Sequence, residues 1–290
     1  MQEKGVPHSA ILLVSCSDQS GLVATITRFI HENKGNILKL EQYVDPEEKV
    51  FFMRLEWDLE HFAIPVSTFG ETFQRSIAAR FDMEWSLHAA HEKPRMAVFV
   101  STLSHCLYDI LSRAHAGEWN VEIPLIVSNH ETLRPVAEQF GVEYRVFQVT
   151  PDNKRTQEEK ELALLQEYQI DFVVLARYMQ VLTSEFINHY PNRVINIHHS
   201  FLPAFAGAKP YHSAHDRGVK IIGATSHYVT AKLDAGPIIE QDIVRISHAD
   251  SIDDLVRKGR DLEKGVLSRS IWHHLKRKVL VFRNRTIVFA

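Results

Sequence analysis

The sequence predicts an α/β protein in two parts: a short βαββαβ unit, then a larger, mostly parallel sheet with helices on both faces. Three observations carry that expectation. The chain is 290 residues long, more than one core usually holds. Its hydrophobic rhythm changes across a polar stretch at 88–94 that ends in Lys93-Pro94. Beyond that stretch, strand-length apolar runs alternate with helical ones, which is the signature of a doubly wound sheet.

In the first part, residues 10–16 are an unbroken apolar run of strand length. The turn Asp18-Gln19-Ser20-Gly21 leads into a helix with Leu22, Ile26, Phe29 and Ile30 at helical spacing. Residues 36–44 and 50–57 read as a hairpin around Asp45-Pro46-Glu47-Glu48. Pro65 suits the first turn of a second helix, whose apolar positions Phe69, Phe73, Ile77 and Ala78 carry it to about residue 79. Residues 81–87 close the unit as a strand. The order is that of the ferredoxin-like split unit. The expected division is 1–87, a linker at 88–94, and 95–290.

In the second part, strands are expected at 96–101, 123–128, 144–149, 172–175 and 194–197, with helices at 104–116, 132–140, 154–168 and 183–189. This is a Rossmann-like rhythm. A helix at 212–217 precedes strands at 222–229 and 237–246. Ser251 caps a long helix to about residue 274, and 279–282 with 286–289 form a closing hairpin.

Composition excludes several classes. A net charge of −3 leaves no electrostatic footprint for nucleic acid. No stretch approaches the run of about 20 apolar residues that crosses a membrane, and the first residues carry Glu3 and Lys4 without an apolar run, so no leader is expected. The chain reads as cytoplasmic. Its 17 histidines do not cluster at ligand spacing, and its two cysteines, Cys16 and Cys106, make neither a disulfide framework nor a zinc site, so no metal is expected. Cys106 reads as a small buried hydrophobe, and Glu158-Glu159 as a solvated helix face.

The chemistry concentrates in Asn196-Ile197-His198 and in Asp234-Ala235-Gly236-Pro237. Alternate residues of a strand share a face, so Asn196 and His198 converge while Ile195 and Ile197 anchor the strand behind them. An amide donor, an imidazole and a carboxylate can together direct water at a formyl group without a metal. Asp234 is the first candidate to hold and deprotonate that water. His198, drawn toward the imidazolium form if paired with Asp234, is the candidate to stabilise developing charge and pass a proton to the leaving nitrogen. Which of the two takes the first proton the sequence leaves open. A carboxylate of pKa about 4 is a weak base, so the site is expected to raise Asp234 by burial or to compensate by positioning.

Asn196-x-His198 followed by Leu202-Pro203-x-Phe205, with Asp234-x-Gly236-Pro237 downstream, resembles the signature of the folate-dependent formyltransferase family. Phe205-Ala206-Gly207-Ala208-Lys209-Pro210-Tyr211-His212, Gly223-Ala224-Thr225-Ser226-His227-Tyr228 and Arg283-Asn284-Arg285-Thr286 look like its deformylase branch. The resemblance implies hydrolysis of 10-formyltetrahydrofolate to formate and tetrahydrofolate, with no cofactor beyond that substrate, and catalytic roles for Asn196, His198 and Asp234. It places the folate against Tyr178, Met179, Gln180, Val181 and Leu182, against Thr230, Lys232 and Leu233, and near Gly207. The first unit, with Asp18-x-x-Gly21-Leu22-Val23, resembles an ACT domain. That implies an amino-acid effector, glycine or methionine, at Asp18, Ser20, Gly21 and Leu22, and homo-oligomers formed through this unit. The resemblance further implies that the formate supplies purine synthesis and that the reaction balances one-carbon pools.

The alternative within the family is glycinamide ribonucleotide formyltransferase, which cradles its acceptor's phosphate with a glycine-rich loop after the domain's first strand. Here that loop is Ser101-Thr102-Leu103-Ser104-His105-Cys106, without glycine. Water is therefore the expected acceptor. The methionyl-tRNA formyltransferase branch needs a further nucleic-acid-binding domain, for which the chain is too short and not basic.

Overall fold

The computed structural model describes residues 8–203 and 210–289. The chain divides into two compact units, one running to Glu92 and taking back Lys276–Leu280 and the chain from Ile287, the other formed by Lys93–Leu275 and Val281–Thr286.

The first unit is a four-stranded antiparallel sheet in the order β2-β3-β1-β4, formed by β1 (Ser9–Ser17), β2 (Asn36–Asp45), β3 (Val50–Asp58) and β4 (Glu84–Ala89). Helix α1 (Leu22–Glu32) buries Leu22, Ile26, Phe29 and Ile30, the predicted apolar stripe. Helix α2 (Val66–Phe73) continues through a π turn, Gln74–Ala78, into the short α3 (Ala79–Phe81). The helical run therefore outlasts the expected end near residue 79. Asp82 closes it in the left-handed region at φ 49°, so the last strand starts at Glu84. That strand also runs further than expected, because Ala89 pairs with Ala10 and His88 with Ile11. Two residues read as linker are thus strand. The returning tail is tied to this sheet by buried Arg54, which donates to the carbonyls of Arg277 at 3.1 Å and Lys276 at 3.3 Å.

The second unit is a seven-stranded sheet in the order β11-β10-β9-β8-β5-β6-β7. Its strands are β5 (Arg95–Val100), β6 (Glu122–Ser128), β7 (Glu143–Val146), β8 (Phe172–Leu175), β9 (Val194–His198), β10 (Ile221–Tyr228) and β11 (Ile238–Arg245). Strands β5 to β9 are parallel, while β10 runs antiparallel to both β9 and β11. Its helices are α4 (His105–His115), α5 (Arg134–Gln139), α6 (Lys154–Glu167), α7 (Ser184–His189), α8 (Pro210–Arg217) and α9 (Ile252–Leu275). Strand β7 stops short of residue 149 because Asn153 captures the departing chain. Its side chain accepts from the Thr150 N–H at 2.7 Å and donates to the Gln148 carbonyl at 2.9 Å. β12 (Val279–Phe282) and β13 (Arg285–Val288) make the closing hairpin. Among the described residues no helix is long and apolar enough to cross a membrane.

Candidate active site

In a sheet of this topology the carboxyl ends of the parallel strands face the ligand crevice. The three proposed catalytic side chains come together there. On β9, Ile195 and Ile197 are buried in the core, and Asn196 and His198 share the other face. The β9–β10 register sets His227 directly across from Asn196. Asp234 sits in the turn between β10 and β11. His198 Nδ1 lies 3.3 Å from Asp234 Oδ2, and His227 Nε2 lies 3.8 Å from Asp234 Oδ1 and 3.3 Å from Asn196 Nδ2.

The hydrogen bonds assign the imidazole protons. His227 Nδ1 donates to the Tyr228 carbonyl at 2.9 Å, which leaves Nε2 to accept from the Asn196 amide. His198 donates from Nδ1 to Asp234, so its Nε2 carries the lone pair; that nitrogen is buried and has no partner among the described residues. The adjacent His199 stacks on His198 with ring centroids 5.1 Å apart, and its Nδ1 accepts from the Arg177 guanidinium. Burial, then the charge of Arg177, pushes the His199 imidazole down to about 4, so it is neutral.

Asp234 differs from expectation. Half-burial is not enough to raise it: the hydrogen bond from His198, with the His227 imidazole 3.8 Å away beside it, holds its carboxyl well below the usual carboxylate range. It is a fixed anion rather than a proton acceptor near neutral pH. Its turn is held from behind. Asp234 adopts φ 51°. A Cβ on Gly236 would stand 1.8 Å from the Tyr228 carbonyl oxygen, so only glycine lets the two backbones approach this closely. The Asn284 amide donates to the Ala235 carbonyl at 3.0 Å, and the Thr286 hydroxyl donates to that of Ile238. The closing hairpin thus pins the aspartate turn.

A cavity of about 510 Å³ opens beside these groups, lined by Asn196, His198, His199, His227 and Asp234, by Tyr178, Met179, Gln180, Val181 and Leu182, and by Thr230 and Leu233. Met179, Val181 and Leu233 are 58%, 51% and 64% exposed, which leaves apolar surface for a flat ring. Tyr178 and Leu182 are buried in the core behind the loop. Lys232 is exposed and stands outside the lining. Gly207 lies outside the described residues. In the first unit Asp18, Ser20 and Gly21 are exposed, whereas the Leu22 side chain belongs to the core.

Two polar arrangements escaped the sequence reading. Glu263 of α9 is buried and binds His105 at 2.8 Å, the Tyr211 hydroxyl at 2.7 Å and, more loosely, Arg177 Nε at 3.5 Å. Burial alone would raise it, but these three partners outweigh burial and keep its carboxyl below the ordinary value. His105, Cys106 and Glu263 bring potential ligand atoms within 4.8 Å of one another, yet Arg177 already supplies the positive charge a metal would bring. The Cys106 thiol is raised by burial and is not a nucleophile. The second arrangement is on α6, where Glu158 and Glu161 are 5% and 0% exposed and face the 178–183 loop. The solvated reading of Glu158 was wrong; only Glu159 is exposed.

Comparison with known proteins agrees with this architecture. A formyl transferase family model matches residues 94–271 and an ACT domain model matches 10–56. A formyltetrahydrofolate deformylase of Synechocystis is 53% identical over 97% of this chain and 99% of its own length, and one of Bacillus subtilis is 47% identical over 96% and 93%. The crystal structure of a Pseudomonas syringae formyltetrahydrofolate deformylase superposes with a TM-score of 0.96 at 43% identity, covering 99% of this chain and 96% of that one. A glycinamide ribonucleotide transformylase from Symbiobacterium toebii reaches 0.64 at 28% identity over 69% of this chain and 95% of its own. With an ACT module, a formyl transferase domain and full-length likeness at this identity, the chain belongs to the formyltetrahydrofolate deformylase family.

Proposed function

We propose that this enzyme removes the formyl group of 10-formyltetrahydrofolate by direct attack of water, with Asn196, His198 and Asp234 as its catalytic residues. The observation that carries this reading is the His198–Asp234 pair at 3.3 Å on the cavity wall, with the Asn196 amide beside it. Asp234 fixes the tautomer, so His198 Nε2 takes a proton from water as the water oxygen bonds to the formyl carbon. Asp234 stabilises the imidazolium that forms. The second N–H of Asn196 faces the oxyanion; a donor of this kind is worth about 2.7–4 kcal/mol of barrier. Collapse restores the carbonyl and breaks the C–N bond. His198 returns its proton to the departing nitrogen, and formic acid loses its own to solvent.

The folate lies along the 178–182 loop and the 230–233 turn, its ring on Met179, Val181 and Leu233. Water is favoured over an amine carrying a phosphate because the loop after β5 is committed internally. Ser101 donates to Asn129 at 2.7 Å and accepts from the Met179 N–H at 3.0 Å, while His105 is taken by Glu263. We further assign the first unit, about 1–87, to regulation by an amino acid such as glycine or methionine. Exposed Leu38, Leu40 and Tyr43 on edge strand β2 support a homo-oligomer formed there. The setting we propose is the cytoplasm, where the formate feeds purine synthesis.

Formate release from purified protein, with and without glycinamide ribonucleotide, tests the reading. Equal release in both is expected. Release that depends on the ribonucleotide would replace hydrolysis with transfer.

A further inference from the structure

We propose that Glu161, fully buried with one carboxyl oxygen unpartnered and the other reached by Tyr178 of the 178–183 loop, is a positioning residue for the folate: it holds the loop in its receptive shape, and a charge at this place weakens binding. This rests on the reading that the loop carries the folate.

Lys154, Glu158, Glu161 and Leu165 fall at i, i+4, i+7 and i+11 on α6 and so share one face. A face turned to the core is expected to be apolar. This one instead grips the loop. The Lys154 ammonium donates to the Val181 carbonyl. Glu158 accepts the Thr183 N–H at 3.0 Å and also the Thr183 hydroxyl. The Tyr178 hydroxyl reaches Glu161 Oε1 at 3.5 Å. The loop is thus held at its first residue, in its middle and at its end, while Met179 and Val181 remain outside for a ligand.

Of the two carboxylates, only Glu158 is well used. Glu161 is 0% exposed, and its Oε2 has no hydrogen-bond partner among the described residues. A buried charge with an idle oxygen is costly, whereas the protonated acid leaves far less unsatisfied. The groups that face it are Glu158 and Lys154 from its own helix and Tyr178 from the loop. Glu158 opposes ionisation; the hydrogen bond from Tyr178 and, with the smallest effect of the three, Lys154 favour it, but burial and Glu158 outweigh both. Its contact Tyr178 and its helix neighbour Leu165 belong to an apolar core cluster with Leu182 and Phe186. Burial, then Glu158, pushes Glu161 up to about 8. Once ionised, its carboxylate needs solvent, and the loop side chain in contact with it is Tyr178, where the loop begins.

The test is the pH dependence of kcat and KM for 10-formyltetrahydrofolate on either side of pH 8, in the full-length protein and in Glu161→Gln. Glutamine keeps the shape of the neutral acid and cannot ionise. In the native protein KM is expected to climb toward about tenfold per pH unit above the transition, as the receptive fraction falls, with kcat nearly constant. In Glu161→Gln KM stays low and flat. A flat KM in the native protein, or the same rise in the glutamine variant, overturns the proposal. Deuterium uptake by the 178–183 amides, corrected for intrinsic exchange, reads the loop without turnover. Faster uptake above the transition in the native protein alone supports the proposal, and unchanged uptake overturns it. Uptake that responds while KM does not would place the folate elsewhere and overturn both this proposal and the site reading beneath it.

Discussion

His227 stands directly across the β9–β10 ladder from Asn196, and its Nε2 accepts the Asn196 amide at 3.3 Å while its Nδ1 is tied to the Tyr228 carbonyl. The amide we propose to face the formyl oxygen is therefore aimed by a residue that need not touch substrate. Replacing His227 with alanine frees the carboxamide to rotate. A kcat loss of up to about 100-fold with little change in KM is expected, as for other misplaced catalytic groups. Steady-state kinetics checks it; a pure KM effect would show that His227 acts on binding.

The three central side chains separate by size of effect. Asn196→Ala should lower kcat by about 10²–10³, the usual loss of one oxyanion donor. Asp234→Asn, which keeps the shape but disturbs the His198 tautomer, should cost about 10⁴, and His198→Ala should abolish measurable hydrolysis. Thermal melts near the native value would show that the fold is intact. Near-normal turnover in any of the three removes that residue from the mechanism.

The aspartate turn gives a prediction that does not involve a reacting group. Gly236→Ala forces a Cβ into the Tyr228 carbonyl and should cost about 1–3 kcal/mol of stability while moving Asp234 off His198. Asn284→Ala loses one hydrogen bond to Ala235, worth about 0.5–1.5 kcal/mol. Both should lower the melting temperature, and the glycine variant should lose activity well beyond its loss of stability.

Glu161 also leaves a mark on stability. Its folded value of about 8 stands above the ordinary glutamate value of 4.5, so between those limits the folded chain binds more protons than the unfolded one. Stability then falls as pH rises through that window and levels off above it. Glu161→Gln removes this fall. Its melting temperature should decline less than that of the native protein between pH 6 and pH 8. Parallel melting curves for the two proteins would contradict the assignment.

The strand alternation of Asn196 and His198 and the two alternating rhythms were legible because each is a local rule with one outcome. What escaped depended on partners distant in sequence. Glu158 and Glu161 read as solvated by their charge until the 178–183 loop folds over them. The direction of the Asp234 shift was equally hidden, since it depends on two imidazoles at 3.3 and 3.8 Å rather than on burial. A signal was nonetheless present in α6: the glutamates repeat at the spacing of its buried Leu165.

Water as the nucleophile is the claim on which the rest depends. Hydrolysis of 10-formyltetrahydrofolate in heavy-oxygen water, with the formate analysed by mass spectrometry, tests it most directly. One labelled oxygen per formate molecule, with no added acceptor, is the predicted result. Formate that forms without the label, or no formate until an amine acceptor is supplied, would contradict it.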